Sequence, residues 1–352
     1  MKPEWREFLL NAGAEFDDEN EQVSSFGNPE REQRVAHTGL VMCDLSHHGL
    51  ISVYGDDATT FLQGQLTNDI RNVSTQHSQL SAYCTPKGRM LSNFRIFKRD
   101  NTFYLQLPRT QLETTLKRIR MFILMSKVTM EDSSDAFVHI GVSGPTAEQH
   151  LLEIVSTLPQ TNDDIVQEKG YTIIRIAGPH PRFEIYGELE AMKTLWTKLD
   201  VNAAPIGNGP WEWLDILAGI PTIYPENAEA FVPQMTNMQL INGVNFQKGC
   251  YTGQEVVARM QYLGKLKRRM FHIHVDTSEP VRPGDKLYSP ASTSGQGTGN
   301  IVSAQPDPDG GYAALAVIDL SDVEQGALQL HDDQGPKVEL RELPYSFEKP
   351  KS

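Results

Sequence analysis

The sequence predicts an α+β protein made of two ferredoxin-like α/β subdomains followed by a small C-terminal β-barrel. Three observations carry this. A chain of 352 residues, at roughly 150 per domain, has room for two to three domains. Strand-like runs that end in Gly or Pro and pass into helical periodicity recur four times in the first two-thirds of the chain. After Arg269 the texture changes to short alternating runs broken by Gly, Pro and Asp, which is the pattern of a small barrel.

The four strand-to-helix passages are 51–55 into 56–62, 103–108 into 110–120, 138–144 into 146–152, and 183–187 into 189–199. Pro145 stands where a first helical residue would be. With further strands at 92–98 and 171–176, each half has the content of a β-α-β-β-α-β layer. In the helix at 110–120, Thr110 and Glu113 have capping-box spacing. Leu112, Leu116, Ile119 and Ile123 form the apolar stripe, and Lys117, Arg118 and Arg120 face away from it. Residues 201–210, rich in Gly, Asn and Pro, read as a linker. Residues 1–39 read as an acidic extension with one short helix, 40–130 as the first subdomain, 131–265 as the second, and 266–352 as the barrel.

Composition bounds the function. With 39% hydrophobic and 22% charged residues and no apolar run near the roughly 18 residues of a membrane span, the chain reads as soluble, with no membrane partner. The start, MKPEWREFLL, has no apolar signal core. Cys43, Cys84 and Cys250 are too few for a disulfide framework, so a reducing cytoplasm is expected. The formal charge of −13 disfavours direct nucleic-acid binding. Positive charge is nevertheless concentrated: ten basic against two acidic residues lie between Lys87 and Lys127, and six against one between Lys248 and Arg269. If these two segments meet, they make a site for an anion; otherwise they are solvated faces.

The stretch richest in chemistry is 246–259, where two glycines bracket Cys250 just before an amphipathic helix. With Thr252 as N-cap and Glu255 three residues on, Cys250 lies near the positive helix end and close to Lys248, a setting that favours a thiolate, which is a nucleophile and soft-metal ligand. Gly249 and Gly253 would permit positive φ or close approach of a ligand. The plain alternative is a turn holding a buried, inert cysteine. Other signals are weaker. Gly141–Gly144 lacks a phosphate-loop pattern, His272 and His274 lack a third metal ligand, His47 and His48 need no function, and no GxSxG elbow exists.

Lys248-Gly-Cys-Tyr-Thr-Gly-Gln-Glu255, with AlaArg and then LysArgArg beyond it, resembles the signature of the YgfZ family of folate-binding proteins. The segments 44–47, 61–69, 87–93, 218–221 and 233–237 extend the resemblance over about residues 40–345. The same order of motifs is similar to the glycine-cleavage T protein superfamily, tetrahydrofolate-dependent aminomethyltransferases, and implies their three-domain ring. The resemblance implies Cys250 as the functional thiol in a loop formed by Lys248, Gly249, Tyr251, Gly253, Gln254 and Glu255. It implies Trp211 as a folate contact, with His48 where a second family tryptophan falls and Leu217 near a superfamily carboxylate. Charge alone adds Lys248, Arg95 and Arg259 as candidates for the folate's anionic tail.

An aspartate pair of the T protein falls at Ser92 and Asn93, neither of which titrates as a carboxylate. The implied role is therefore an accessory one without stand-alone catalysis. The protein would bind tetrahydrofolate or another reduced folate and hold no permanent metal. It would support iron–sulfur cluster assembly or repair in client or carrier proteins and thereby tRNA methylthiolation. The alternatives are an aminomethyltransferase-like C1-transfer enzyme, which the Ser92/Asn93 pair opposes, and a tRNA-binding module, which the net charge opposes.

Overall fold

The computed structural model describes the chain except for residues 18–21, 263, 265, 291, 293–296 and 348–352. Asp18, Glu19 and Glu21 of the acidic start therefore lie outside the described residues. The chain forms two compact units, one of Met1–Ala58, Arg71–Gln79 and Arg95–Leu214, the other of Thr59–Ile70, Leu80–Phe94 and Asp215–Ser352.

The first unit is built on a six-stranded sheet in the order Ile165–Glu168, Tyr171–Ile176, Arg182–Gly187, Val138–Ser143, Val41–Asp44, Ala204–Ile206. All its pairs are antiparallel except the last, where Ala204–Ile206 runs parallel to Val41–Cys43. The segment read as a linker thus carries an edge strand followed by the helix Asn208–Leu217. Pro205 is compatible with pairing because an edge strand need donate on one side only.

The N-terminal extension has two helices rather than one, Pro3–Asn11 and Pro29–Thr38. Trp5 and Leu9, one turn apart, sink into the core beside the helix Leu189–Leu199. The Trp5 ring stacks on Phe8 at 5.1 Å, meets Trp196 edge-on at 5.6 Å, and donates Nε1–H to Asp44 Oδ1 at 2.7 Å. Burial raises the Asp44 carboxyl above its ordinary range even though hydrogen bonds from Trp5 and Ser46 oppose the shift.

The second sheet runs Gln79–Cys84, Met90–Arg99, Thr102–Pro108, His48–Tyr54, Thr129–Asp132. Its strand Met90–Arg99 begins in the second unit and ends in the first. The helix Arg109–Arg120 lies on the first unit's portion with Leu112, Leu116 and Ile119 buried. It starts at Arg109 with Pro108 as N-cap and no side-chain cap bond, so Thr110 and Glu113 do not form the expected capping box, and Ile123 lies past its end. Gly49 is required by this contact, since a Cβ there would stand 2.4 Å from a Leu112 methyl.

In the second unit the C-terminal strands close into a six-stranded barrel in the order Arg268–Val275, Tyr312–Asp319, Gly299–Pro306, Lys286–Tyr288, Leu328–Leu330, Lys337–Arg341. Ile273, Ile301, Ala316 and Leu328 fill its interior. The α+β architecture with two ferredoxin-type sheets and a terminal barrel is as the sequence predicts.

Trp5→Phe keeps the aromatic packing but removes a donor from the buried Asp44. Urea unfolding should show a loss of about 1–3 kcal/mol, and an unchanged midpoint would mean the bond contributes nothing to stability.

Candidate functional site: a presented thiol and a buried histidine cluster

In the second unit the thiol loop is held from below. The Lys248 ammonium donates to the backbone oxygens of Gln63 at 2.7 Å and Leu66 at 2.5 Å, at the carboxyl end of the helix Ala58–Gln65, where a cation meets the helix dipole and its unpaired carbonyls. The same ammonium lies 4.9 Å from the Tyr251 ring centre. Both side chains are buried, whereas Gly249 and Cys250 between them are exposed. Burial raises the Tyr251 phenol, with a smaller contribution from Cys84. Lys248 is thus an anchor of the loop, with its ammonium donating to two carbonyls.

The two glycines differ in purpose. Gly253 has φ +85°, and a Cβ on it would stand 2.4 Å from the Thr85 oxygen and 3.0 Å from Gly88 Cα. The LysGlyArg turn and the thiol loop therefore touch backbone to backbone, with Gly88 at φ +70° against Val256. Gly249 has nothing within 4 Å of its Cβ position. The absent side chain leaves open space beside the thiol without serving the packing.

The helix Gln254–Tyr262 begins one residue later than Thr252 as N-cap would place it, because the Gly253 carbonyl accepts the first helical bond, from Val257 N. Gln254 N bonds the Tyr251 oxygen at 3.1 Å. Glu255 is not a capping-box partner but pairs with Arg259 one turn on, at 2.6 Å, and both are well exposed. Such a pair contributes little stability. Nearby in this unit, Asn93 donates to the Pro221 oxygen at 2.8 Å and accepts from Ile223 N at 2.9 Å. Its amide needs both functions at once, which an aspartate could not supply.

The first unit holds His48, Arg95 and Trp211. Gln106 is the hub of their neighbourhood. Its Nε2 donates to His48 Nδ1 at 3.1 Å and to Glu184 Oε1 at 3.2 Å, while its oxygen accepts from the Tyr186 hydroxyl at 3.0 Å. His139 stacks on Tyr186 with centroids 3.9 Å apart, across the register pair of their strands, and its Nε2 lies 3.5 Å from Glu184. His47 and His48 lie 4.2 Å apart, ring centre to ring centre.

Burial pushes the His48 imidazole down to about 3, so it is neutral, as its acceptor role requires. Burial would raise the Glu184 carboxyl, but His139 beside it and the Arg95 guanidinium outweigh that and hold it below the ordinary range. Arg95 is buried and paired with Asp163 at 2.5 Å, so its charge is already met. Trp211 is wholly enclosed. The Arg182 guanidinium lies 4.0 Å from its ring centre, and Gly141 is a glycine because a Cβ would fall 2.3 Å from the indole. Its Nε1–H has no hydrogen-bond partner among the described residues.

Sequence reasoning missed Gln106, Glu184, Tyr186 and His139. The signal was there, since His139 interrupts Val-x-Ile and Glu184 interrupts Phe-x-Ile in strands that are otherwise apolar. Of the weak motifs, His272 Nδ1 donates to the Glu342 backbone oxygen, 3.2 Å away, and Gly144 allows close approach of the Gly39 carbonyl. Among the described residues no group of three or more His, Cys, Asp or Glu is placed to hold a metal ion, and no helix is long and apolar enough to cross a membrane.

The comparisons with known proteins bear on the fold and the family. The GCVT N-terminal domain family matches residues 8–211. A solved aminomethyltransferase T of the glycine cleavage system from Bartonella henselae superposes with a TM-score of 0.77, covering 96% of each chain at 18% identity. Fold and matched domain together define a protein of the glycine-cleavage T-protein class. Similar curated proteins are the tRNA-modifying protein YgfZ of Yersinia pseudotuberculosis, 35% identical over 89% of this chain and 95% of its own, and that of Yersinia enterocolitica, 32% identical over 88% and 93%. The chain belongs to the YgfZ family, as the motif around Cys250 implies.

Two predictions follow from the geometry. Gly253→Ala strains a left-handed residue against backbone and should destabilise by about 1–3 kcal/mol, whereas Gly249→Ala should leave the melting curve unchanged; equal effects would contradict the assignment of their roles. Because the folded His48 has a depressed pKa, the unfolded state binds the extra proton below its ordinary value of 6.5, so stability is full above about pH 6.5 and falls as the pH drops toward 3. Between pH 6.5 and 5 the urea midpoint should fall less steeply in His48→Gln than in the parent, by up to about 1.4 kcal/mol per pH unit.

Proposed function

We propose that this protein is a cytoplasmic, reduced-folate-binding accessory protein that supports iron–sulfur cluster assembly or repair in client enzymes, and through them the modification of tRNA, with Cys250 as its working thiol. The observation that carries this reading is the presentation of Cys250: exposed, beside a glycine that packing does not require, on a loop whose neighbours Lys248 and Tyr251 are both pinned. A rigidly offered thiol with open space around it suits transient contact with a client. One cysteine supplies one of the four ligands a cluster usually takes, so the others would come from the client or carrier. The tRNA-modifying relatives support the downstream role.

For folate, the polar neighbourhood of His48 fits a pterin edge. A neutral imidazole, an amide and a carboxylate held ionised offer acceptors and a donor within one cluster that is only partly closed to solvent at His48. Trp211 would back this cluster from within the core rather than stack directly, given its enclosure. A bound reduced folate would supply one-carbon chemistry. What this chain's residues contribute is recognition: Glu184 accepts ring N–H groups, His48 orients, and His139 together with Arg95 keeps Glu184 ionised. Aminomethyl transfer is the weaker reading because the Asn93 amide is engaged on both sides and Ser92 carries no carboxylate.

In a strain lacking the protein, Cys250→Ser should fail to restore cluster-enzyme activity while binding 5-formyltetrahydrofolate as the parent does. Glu184→Gln should weaken that folate about tenfold or more. Full rescue by the serine variant, or undiminished folate binding by the glutamine variant, defeats the corresponding half of the proposal.

A further inference from the structure

The two basic segments that the sequence sets apart do meet, and in a place the folate reading does not use. Arg89 from the first segment and Lys267 and Arg268 from the second line one cavity of about 1120 Å³ within the second unit. Its walls are the LysGlyArg turn, the 229–235 loop, residues 266–268 at the start of the barrel, and the end of the barrel strand Tyr312–Asp319 with the helix Leu320–Gln325 that follows it. The volume is ample for a small molecule.

Its lining holds three kinds of side chain. Phe231, Met235, Leu266 and Leu320 are apolar. Arg268 is answered by Asp319 at 3.8 Å, but Lys267 and Arg89 have no carboxylate partner among the described residues; Arg89 spends Nη1 on the Ala230 oxygen at 2.6 Å. Asp322 also lines the cavity; it is only 3% exposed, and its Oδ2 accepts no hydrogen bond among the described residues. A buried carboxylate oxygen without a donor is costly, and a ligand N–H would relieve it. Glu229 and Glu324 also line the wall and repel a strongly charged anion.

We propose that this cavity binds a nucleoside monophosphate: the phosphate at Lys267 and Arg89, the flat base against the apolar side chains, and an exocyclic amine toward Asp322. Two cations match a single phosphate, while the acidic wall disfavours di- and triphosphates. A free nucleotide and one carried at the end of an RNA share this chemistry. The KGR turn links the cavity to the thiol loop, since Arg89 lines the one and Gly88 packs on Gly253 of the other.

The test is calorimetric titration of the full chain with adenosine 5′-monophosphate, with adenosine, inorganic phosphate and ATP as comparators. The monophosphate should bind saturably and at least tenfold more tightly than any comparator. Lys267→Glu, at an exposed position whose side chain has no carboxylate partner among the described residues, should weaken it tenfold or more, and Asp322→Asn should do so for adenosine 5′-monophosphate while leaving phosphate unaffected. An RNA dodecamer that competes identifies RNA as the source, and one that does not identifies the free nucleotide. Absence of saturable binding, or binding unchanged in both variants, overturns the proposal. So does competitive displacement by 5-formyltetrahydrofolate, which would make the cavity the folate site; loss of folate binding in Glu184→Gln with nucleotide binding intact keeps the two readings apart.

Discussion

The burial of one ammonium group governs the thiol loop. Lys248 could not remain charged in the interior without partners, and it finds them in the carbonyls that the helix Ala58–Gln65 leaves unpaired at its end. The bond ties residues nearly two hundred positions apart. Tyr251 closes over the same ammonium, so the two residues between them have nowhere to go but outward. Exposure of Cys250 is therefore a consequence of what its neighbours bury.

The first unit solves a different problem with the same physics. Glu184, Arg95 and three histidines lie close together in a largely apolar sheet region, where isolated charges are prohibitive. The cluster distributes roles: Asp163 meets Arg95, Gln106 bridges His48 to Glu184, and His48 stays neutral. The bonds through Gln106 hold His48, Glu184 and Tyr186 in defined orientations, while His47 Nε2 and His139 Nε2 have no hydrogen-bond partner among the described residues. Its acid sensitivity is the cost of keeping imidazoles uncharged.

Much of the fold was legible. The helix Leu189–Leu199 and the strand Tyr171–Ile176 lie where periodicity puts them, and the change of texture after Arg269 marks the barrel. Failures cluster where local chemistry was overruled by long-range contact. Pro205 and its neighbours look like a linker until Val41–Cys43 offers them a parallel partner. Trp5 and Leu9 are too sparse to announce a core helix, yet Asp44 and Trp196 give them one. Thr252 and Glu255 have the spacing of a cap, but the contact of Gly253 with Gly88 and Thr85 decides where the helix starts.

By itself the sequence determined which residue types are available: one distinctive cysteine between two glycines, two basic segments in an acidic chain, and no carboxylate at 92–93. Those facts are local, and so survive without coordinates. Which glycine is structural and which merely leaves space, that Lys248 is an anchor, that Arg89 and Lys267 share a cavity, and that Glu184 is ionised were decided only by tertiary structure. Each depends on distances between segments far apart in the chain, and on burial, which sets the energy of a charge and which no single stretch of sequence contains.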